Sequence, residues 1–252
     1  IDVFVKDVLT GRVIEVSNST TGAQANGDSF NSNITPDGRY VVFESYASNL
    51  VPDDTSRTGD VFVKDLKTNN LIRVSTTSTG QEANGRSYSP SISADGRFVA
   101  FRSDATNLVP DDNNGFGDIF VKDLVSGQIA LVSRNAEGST GNNHSFEPSI
   151  SADGSTVVFR SYASNMVPGP DVNLEDIYAR NLSTGAITRV NTSSNGTQGN
   201  NAIWYPTVSA NGRYVAFPST ANNLVSGDTN NVWDVFVKDL QTGTTTRVST
   251  TS

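Results

Sequence analysis

The amino-acid sequence predicts an all-β fold of repeated four-stranded antiparallel sheets, on three observations. One pattern recurs every 58 residues along the 252-residue chain. Short runs of alternating apolar and polar residues are separated by Gly, Asn, Asp and Ser, which is typical of strands joined by tight turns. No segment shows the 3.6-residue period of an amphipathic helix.

Each repeat contains two predicted hairpins. The first carries blocks such as ISADGRFVAF, in which Asp37, Asp95, Asp153 or Asn211 precedes a glycine. Such a dipeptide between alternating runs predicts a tight turn, because both turn residues tolerate positive φ. The second begins at an aspartate in blocks such as DVFVKDL and ends in RVS or a close variant. These aspartates are Asp2, Asp60, Asp118, Asp176 and Asp234.

Recurring aromatic residues predict how the sheets pack. Phenylalanines at 43, 101, 159 and 217 recur in register, as do the aromatics at 4, 62, 120, 178 and 236. We expect them to fill the space between stacked sheets. Four-stranded sheets repeated at a fixed period stack radially into a β-propeller, which leaves only short edges. A linear solenoid is the competing architecture, but its repeats usually have about 20 to 50 residues.

The pattern S-x-D-G-R-x-V-A-F-x-S followed by D-V-F-V-x-D-L-x-T-G resembles the TolB-type, WD40-like β-propeller repeat over essentially the whole chain. The resemblance implies four-stranded blades with the SADGRxVAF hairpin innermost and the DVFVKD hairpin outermost. Blades of this family occur in periplasmic translocation proteins, peptidase gating domains, sugar-acid lyases and cell-surface proteins. The fold therefore does not select a function.

The chain is predicted to be a single propeller domain, residues 1–252, with five blades of which one is incomplete. Complete blades are expected at about 26–75, 84–133, 142–191 and 200–249. Residues 1–18 form an outer hairpin without an inner partner. Two explanations stay open: strands outside this chain complete that blade, or residues 1–18 pair with another molecule in self-association.

The loops joining the two hairpins carry oxygen-bearing side chains at alternate positions. In three repeats these are Asp54, Ser56 and Asp60; Asp112, Asn114 and Asp118; and Asp228, Asn230 and Asp234. Hard cations such as calcium require such ligands, so we predict a structural calcium ion at these loops. The alternative is that the residues form Asx-turns without metal. The third repeat departs from the pattern, with Pro170 and Val172 at ligand positions.

The loops before the inner strand vary between repeats at the same predicted edge, and variation on one face can mark a binding surface. The candidate ligand-binding residues are Arg86, His144 and Tyr205 in these loops, with Arg102 and Arg160 at the ends of inner strands. The position of Trp204 is aromatic in all four repeats, which favours packing, so Tyr205 is the better candidate for contact with a sugar or peptide. The alternative is sequence drift in exposed loops.

Composition excludes several function classes. The net charge of −8 and the absence of a Lys/Arg cluster argue against nucleic acid as a partner. The sequence has no apolar run long enough for membrane insertion. It has no cysteine, which excludes disulfides, thiolate metal sites and thiol catalysis.

Catalysis finds little support. His144 is the single histidine, and no G-x-S-x-G nucleophile motif occurs. We predict a non-catalytic extracellular, periplasmic or cell-surface binding or scaffold module of a larger protein, whose loop face contacts a protein or a glycan. The alternative is a propeller enzyme acting on polysaccharide, a lyase or hydrolase that uses Arg86, His144, Arg102 or Arg160.

Overall fold

The structure is a computed structural model that describes residues 1–55, 58–169, 171 and 175–250. All regular elements in these ranges are β-strands. In chain order they are β1 Phe4–Lys6, β2 Val13–Glu15, β3 Ser29–Ile34, β4 Tyr40–Ser45, β5 Asp60–Asp65, β6 Leu71–Arg73, β7 Ser87–Ile92, β8 Phe98–Ser103, β9 Asp118–Asp123, β10 Ile129–Leu131, β11 Ser145–Ile150, β12 Thr156–Ser161, β13 Asp176–Asn181, β14 Ile187–Arg189, β15 Thr207–Val208, β16 Tyr214–Ser219, β17 Asp234–Asp239 and β18 Thr245–Arg247. Within these ranges there is no helix with the length and apolar character needed to cross a membrane.

The strands form five sheets. Four sheets have four strands each, in the orders β3-β4-β5-β6, β7-β8-β9-β10, β11-β12-β13-β14 and β15-β16-β17-β18. The hairpin β1-β2 makes a fifth, two-stranded sheet. Pairing within the first, third and fourth of the larger sheets is antiparallel throughout. The predicted all-β fold of four-stranded antiparallel sheets is confirmed.

The described residues divide into two compact units. Unit 1 comprises Ile1–Gly115 and Phe120–Ala130, and unit 2 comprises Phe116–Ile119 and Leu131–Ser252. In unit 1, β1 and β2 pack with the first four-stranded sheet through Val16, Phe43 and Phe62. In unit 2, the last two sheets share a core that contains Ile177, Phe217 and Phe236.

The inner hairpins turn at Asp-Gly, but not in the way that the sequence predicts. Gly38 has φ of 70° and its N–H donates to the carbonyl of Thr35, whereas Asp37 does not have positive φ. Asp37 instead accepts hydrogen bonds from the Thr35 hydroxyl and from the Arg39 N–H. This is the arrangement of a type I turn followed by a left-handed glycine. The aspartate is therefore selected by its side-chain acceptor, and only the glycine by its φ.

In the first three repeats, the first strand of the inner hairpin contains a shift in its pairing register. Its register shifts between Phe30 and Asn33, and at the equivalent places in β7 and β11. The residue at the shift is left-handed: Asn31, Ser89 and Glu147 have φ of 50° to 52°. The fourth repeat has Tyr205 there, which is not left-handed, and β15 is only two residues long. A bulky side chain disfavours positive φ. The fourth repeat still pairs Ile203 with Ser219, and the Trp204 N–H donates to the Pro218 carbonyl, but Pro218 has no N–H with which to return that bond.

A cationic side chain in the third strand of each four-stranded sheet, buried in three of the four sheets, anchors that sheet to the repeat before it. Lys122 donates from Nζ to the carbonyls of Thr76 and Thr77 at 3.0 and 2.8 Å. The equivalent residues, which also donate to main-chain carbonyls one repeat earlier, are Lys64, Arg180 and Lys238. Each pair lies within one unit. Burial lowers the pKa of these lysines, so the carbonyls offset part of the cost of desolvating the charge.

Candidate functional site

The acidic loops and the variable loops lie at one edge of each sheet. In the first repeat, Ser45 at the end of β4 pairs with Ser29 at the start of β3 and with Asp60 at the start of β5. The acidic loop runs from β4 to β5, and the variable loop leads into β3. The strand pairing therefore brings both kinds of loop to the same edge, here called the loop edge.

In the first repeat, three carboxylates gather at the loop edge. One oxygen from each of Asp54, Asp60 and Glu82 lies within 4.8 Å of the others. Arg73, the last residue of β6, reaches this group: its Nη1 lies 3.0 Å from Glu82 and 3.7 Å from Asp54. Asp60 also accepts a hydrogen bond from the Ser75 hydroxyl. A buried guanidinium thus supplies positive charge to a group whose geometry would suit a metal ion.

The carboxylates of this group do not ionise as exposed ones do. Burial, with added repulsion from Asp60, raises the pKa of Asp54 to about 7, although Arg73 opposes the shift. Burial likewise raises the pKa of Asp60 to about 6, and the Ser75 hydrogen bond and Arg73 oppose that shift. One arginine therefore only partly compensates three crowded acids.

The third and fourth repeats use an arginine in the same way. Arg189 contacts Asp171 at 3.2 Å and Asp176 at 3.0 Å. Arg247 contacts Asp228 at 3.2 Å and Asp234 at 3.5 Å. These arginines stand 58 residues apart and precede the V-S or V-N of each repeat, so the signal was present in the sequence motif.

The second repeat departs from this arrangement. Leu131 stands at the sequence position that Arg73, Arg189 and Arg247 occupy in the other repeats. Asp112, equivalent to Asp54, is 4% exposed, and neither carboxylate oxygen has a hydrogen-bond partner in the described structure. Burial raises the pKa of Asp112, and the N–H of Asn114 opposes the shift without reaching hydrogen-bond geometry. Within unit 2, Asp118 accepts a hydrogen bond from Ser133.

The three loops at which calcium binding was predicted therefore differ in the residues that surround their aspartates. Beside Asp54 and Asp60, and beside Asp228 and Asp234, the structure adds a cationic side chain that the prediction did not include. Asn230 donates to Asp234, as the Asx-type alternative expects. Ser56 lies outside the described residues. Metal binding at these loops stays a prediction.

Two of the predicted ligand-binding arginines lie together in unit 1. The guanidinium carbon of Arg86 is 4.3 Å from the ring centroid of Tyr88, and that of Arg102 is 4.9 Å from it. Glu44 is buried, contacts Arg86 at 3.4 Å and accepts the N–H of Ser89. Arg102 contacts Asp104 at 3.3 Å. Both arginines are thus engaged by internal partners around one tyrosine.

His144 serves the local structure of unit 2. Its Nδ1 accepts the N–H of Gly117 at 2.8 Å, so that nitrogen carries no proton. Its ring packs edge-on against Phe116 and beside Phe146. A general base needs a free nitrogen close to a reacting group, and here one ring nitrogen is already committed to the main chain.

Arg160 joins two acidic side chains beside Tyr205. It donates to Glu147 at 2.6 Å and to Glu175 from two of its nitrogens, Nε at 2.8 Å. Its guanidinium carbon lies 5.8 Å from the ring centroid of Tyr205. The structure therefore brings two of the predicted residues, Arg160 and Tyr205, into one place.

Three exposed aromatic side chains adjoin this network. Trp204 is 51% exposed, Tyr205 60% and Trp233 46%. The rings of Trp204 and Trp233 stack with centroids 5.4 Å apart and an angle of 20°, and Tyr205 lies 5.5 Å from Trp204. These three residues are here called the aromatic patch. Sequence reasoning found Tyr205, assigned Trp204 to packing and overlooked Trp233.

The exposure of Trp204 is peculiar to the fourth repeat. The equivalent aromatics Phe30 and Phe146 are half-buried beneath Tyr46 and Tyr162, with ring centroids 5.8 and 5.7 Å apart. The fourth repeat has Thr220 at that position. The short β15 begins at Thr207, so residues 204 and 205 lie outside the strand. A position that is aromatic in every repeat thus has two different environments.

Comparison with known proteins identifies the fold. No family model matches the sequence, and no curated protein does. TolB from Acinetobacter baumannii is similar with a TM-score of 0.53 and 19% identity, over 99% of this chain and 49% of that one. The tricorn protease has a TM-score of 0.57 and 14% identity, over 96% and 24%. The β-propeller domain of the Trilobed protease from Pyrococcus furiosus has 0.51 and 12%, over 90% and 59%.

The chain thus spans about half of the TolB structure and a quarter of the tricorn protease. Identities this low show a shared fold and carry no activity across. The predicted β-propeller and its resemblance to TolB-type propellers are confirmed.

Proposed function

We propose that this chain, whose fold is that of the TolB-type β-propellers, is a non-catalytic binding module of an exported protein. We further propose that its ligand is a carbohydrate held against Trp204, Tyr205 and Trp233. The observation that carries the proposal is the exposure of three adjoining aromatic rings at the loop edge of unit 2.

Exposed aromatic rings in contact need a reason. Apolar side chains scattered singly on a surface are ordinary, whereas grouped ones usually mark a binding surface. Trp and Tyr offer a flat apolar face together with a polar edge. The C–H faces of a pyranose ring pack on such a surface, and its hydroxyls need hydrogen-bond partners beside it.

The neighbouring charges supply those partners. Glu147 and Glu175 are held in place by Arg160, which also faces the Tyr205 ring. A salt bridge fixes these carboxylates in place, so they lose little conformational entropy when they accept hydrogen bonds from sugar hydroxyls. A patch of three rings is also small compared with the roughly 800 Å² per partner of a stable protein–protein interface.

The residues that the enzyme alternative would use already have internal partners. Arg86 and Arg102 surround Tyr88 in unit 1, and His144 Nδ1 accepts a main-chain N–H in unit 2. Export fits the absence of cysteine and the acidic, Asn- and Thr-rich composition. For the polysaccharide lyase or hydrolase of the alternative interpretation, His144 is the one of these three residues suited to proton transfer, because arginine stays protonated.

Affinity gel electrophoresis tests the proposal, with the chain run through gels that contain polygalacturonate, xylan, hydroxyethylcellulose or dextran. We expect retardation by at least one polymer, with affinity reduced at least about tenfold in Trp233→Ala and Tyr205→Ala. The matched control is Tyr214→Ala, because Tyr214 is also exposed, at 40%, but lies at the other end of β16.

Two results would contradict the proposal. If no polymer retards the wild-type chain, the ligand is not a polysaccharide of these classes, and a protein partner becomes the better interpretation. If a retarding polymer is cleaved, seen as new reducing ends or as unsaturated products, and His144→Ala abolishes the cleavage, the chain is an enzyme.

A further inference from the structure

The acidic loop of the second repeat contains a buried carboxylate for which the described structure supplies no cation. Asp112 is 4% exposed, and both of its oxygens are without a hydrogen-bond partner. An ionised carboxylate in such a place is strongly unfavourable unless it is paired or neutralised. Something must therefore balance this charge.

The other repeats show what normally balances it. Asp54, Asp171 and Asp228 each contact an arginine from the last strand of their own sheet. The arginines come from one sequence position, which is 73, 189 and 247 in those repeats and Leu131 in the second. The second repeat has kept the aspartate and lost its internal cation.

We infer that the second repeat binds one divalent cation at Asp112, with calcium as the best-fitting ion, where the other repeats use an arginine. Besides the carboxylate, the loop from Val109 to Asn114 contains main-chain carbonyls as further oxygen ligands. Calcium accepts such mixed oxygen ligands in irregular geometry, and magnesium demands a near-ideal octahedron. This inference is independent of the carbohydrate proposal, because the aromatic patch does not include Asp112.

The expected affinity is low. A site with few formal charges on a surface loop belongs with extracellular calcium sites, whose dissociation constants are about 10⁻⁴ to 10⁻³ M. A calcium ion that binds the folded chain and not the unfolded chain stabilises the folded state by mass action. The role of the ion would be to hold the loop edge together, as the arginines do elsewhere.

Isothermal titration and thermal unfolding of the whole chain with calcium chloride test the inference. We expect one calcium ion per chain and a rise in melting temperature of about 3 °C between 1 mM EDTA and 5 mM calcium chloride. Magnesium chloride at 5 mM is expected to produce less than half of that rise.

Two variants assign the site. Asp112→Asn should lose the calcium response, and Asp54→Asn, the matched change in an arginine-paired repeat, should keep it. A third measurement, the cooperativity of unfolding of Asp112→Asn in EDTA, completes the assignment: a single cooperative transition distinguishes the lost calcium response from misfolding.

Four results would overturn the inference: no calcium-dependent shift in the wild-type chain, a shift that survives Asp112→Asn, an equal shift with magnesium, or a response lost in Asp54→Asn. The first of these would mean that Asp112 is neutralised by protonation. In that case, the melting temperature of Asp112→Asn relative to wild type should be higher at pH 8 than at pH 5.

Discussion

The first and second repeats hold equivalent aspartates at the loop edge but differ in what surrounds them. Asp54 has Arg73 beside it, together with Asp60 and Glu82. Asp112 has Leu131 at the arginine position and Thr140 at the position of Glu82. The first repeat therefore carries more negative charge and its own cation, whereas the second carries less charge and no cation. Between these two repeats the aspartate is kept while the residue at the arginine position changes, whereas the third repeat has its aspartate one position later, at Asp171.

The largest expected effect follows from making the first repeat resemble the second. Arg73→Leu removes the guanidinium from three carboxylates whose oxygens lie within 4.8 Å of one another. Leaving buried charge without its partner costs about 3–5 kcal/mol. We expect urea unfolding in EDTA at pH 8 to show a loss of that size in the free energy of unfolding, partly recovered in 5 mM calcium chloride.

The control is Arg97→Ser, which removes an arginine from an exposed ion pair of the same unit. It should cost about 1 kcal/mol or less and should not add a calcium response. A loss below 1 kcal/mol in Arg73→Leu would show that protonation of Asp54 and Asp60 already neutralises the first loop, so that its arginine matters little.

A smaller effect concerns pH. The pKa values of Asp54 and Asp60 are raised to about 7 and about 6 in the folded chain, mainly by burial. Between their unfolded values near 4 and these folded values, the native state binds more protons than the unfolded state. Stability therefore falls as pH rises through this window, by about 1 kcal/mol after allowance for solvent screening.

Urea unfolding at pH 5 and pH 8, both in EDTA, measures this fall. Asp54→Asn should flatten the dependence. The matched control is Asp65→Asn, because hydrogen bonds from Arg39 lower the pKa of Asp65 to about 2, so it stays ionised throughout the window. Its effect on stability should be the same at both pH values. A wild-type chain that is equally stable at pH 5 and pH 8 would contradict the prediction.

The sequence was sufficient to predict the fold because each strand and turn motif recurs four or five times along the chain. Alternating runs such as VFVKD became β5, β9 and β17, and Asp-Gly marked the inner turns. Position-specific exceptions were harder to predict. The short β15 occurs where Tyr205 replaces a residue of positive φ and where Pro218 has no N–H for strand pairing. No sequence rule located the positive-φ position in advance.

The candidate site was predicted only in part, for a related reason. Residues were judged by their own loop, whereas Arg73 and Arg189 reach the acidic loops from the outer strand of the sheet. Trp233 ends an acidic loop but stacks on Trp204, which leads into a different strand. Contacts between such separate segments depend on how the strands pair in three dimensions. The periodicity of the sequence alone does not show which side chains meet across a sheet.

The smallest expected effect concerns the opposite edge of the sheets, where the third repeat is the exception. Arg97 pairs with Asp123 at 2.8 Å in the second repeat, and Arg213 pairs with Asp239 at 2.7 Å in the fourth. The third repeat has Ser155 and Asn181 at these positions, and both line a cleft of about 550 Å³. Both members of the pair are missing together, as expected if neither is useful without the other.

A double-mutant cycle measures what that pair contributes. Arg97→Ser and Asp123→Asn give the second repeat the residues of the third, singly and together. Exposed pairs contribute about 0.2–1 kcal/mol, so we expect a coupling energy near 0.5 kcal/mol from urea unfolding at pH 7 in low salt, and less in 0.5 M sodium chloride. Asp123 also accepts main-chain and hydroxyl hydrogen bonds from Ser126 and Val125, which remain in Arg97→Ser. The main-chain bonds should also survive Asp123→Asn, because Asn181 accepts the equivalent bonds from Ser183 and Thr184 through its amide oxygen. The two single variants should therefore cost similar amounts. A coupling energy of zero would mean that the carboxylate is kept for its turn rather than for the arginine, and that the loss of both residues in the third repeat is coincidental.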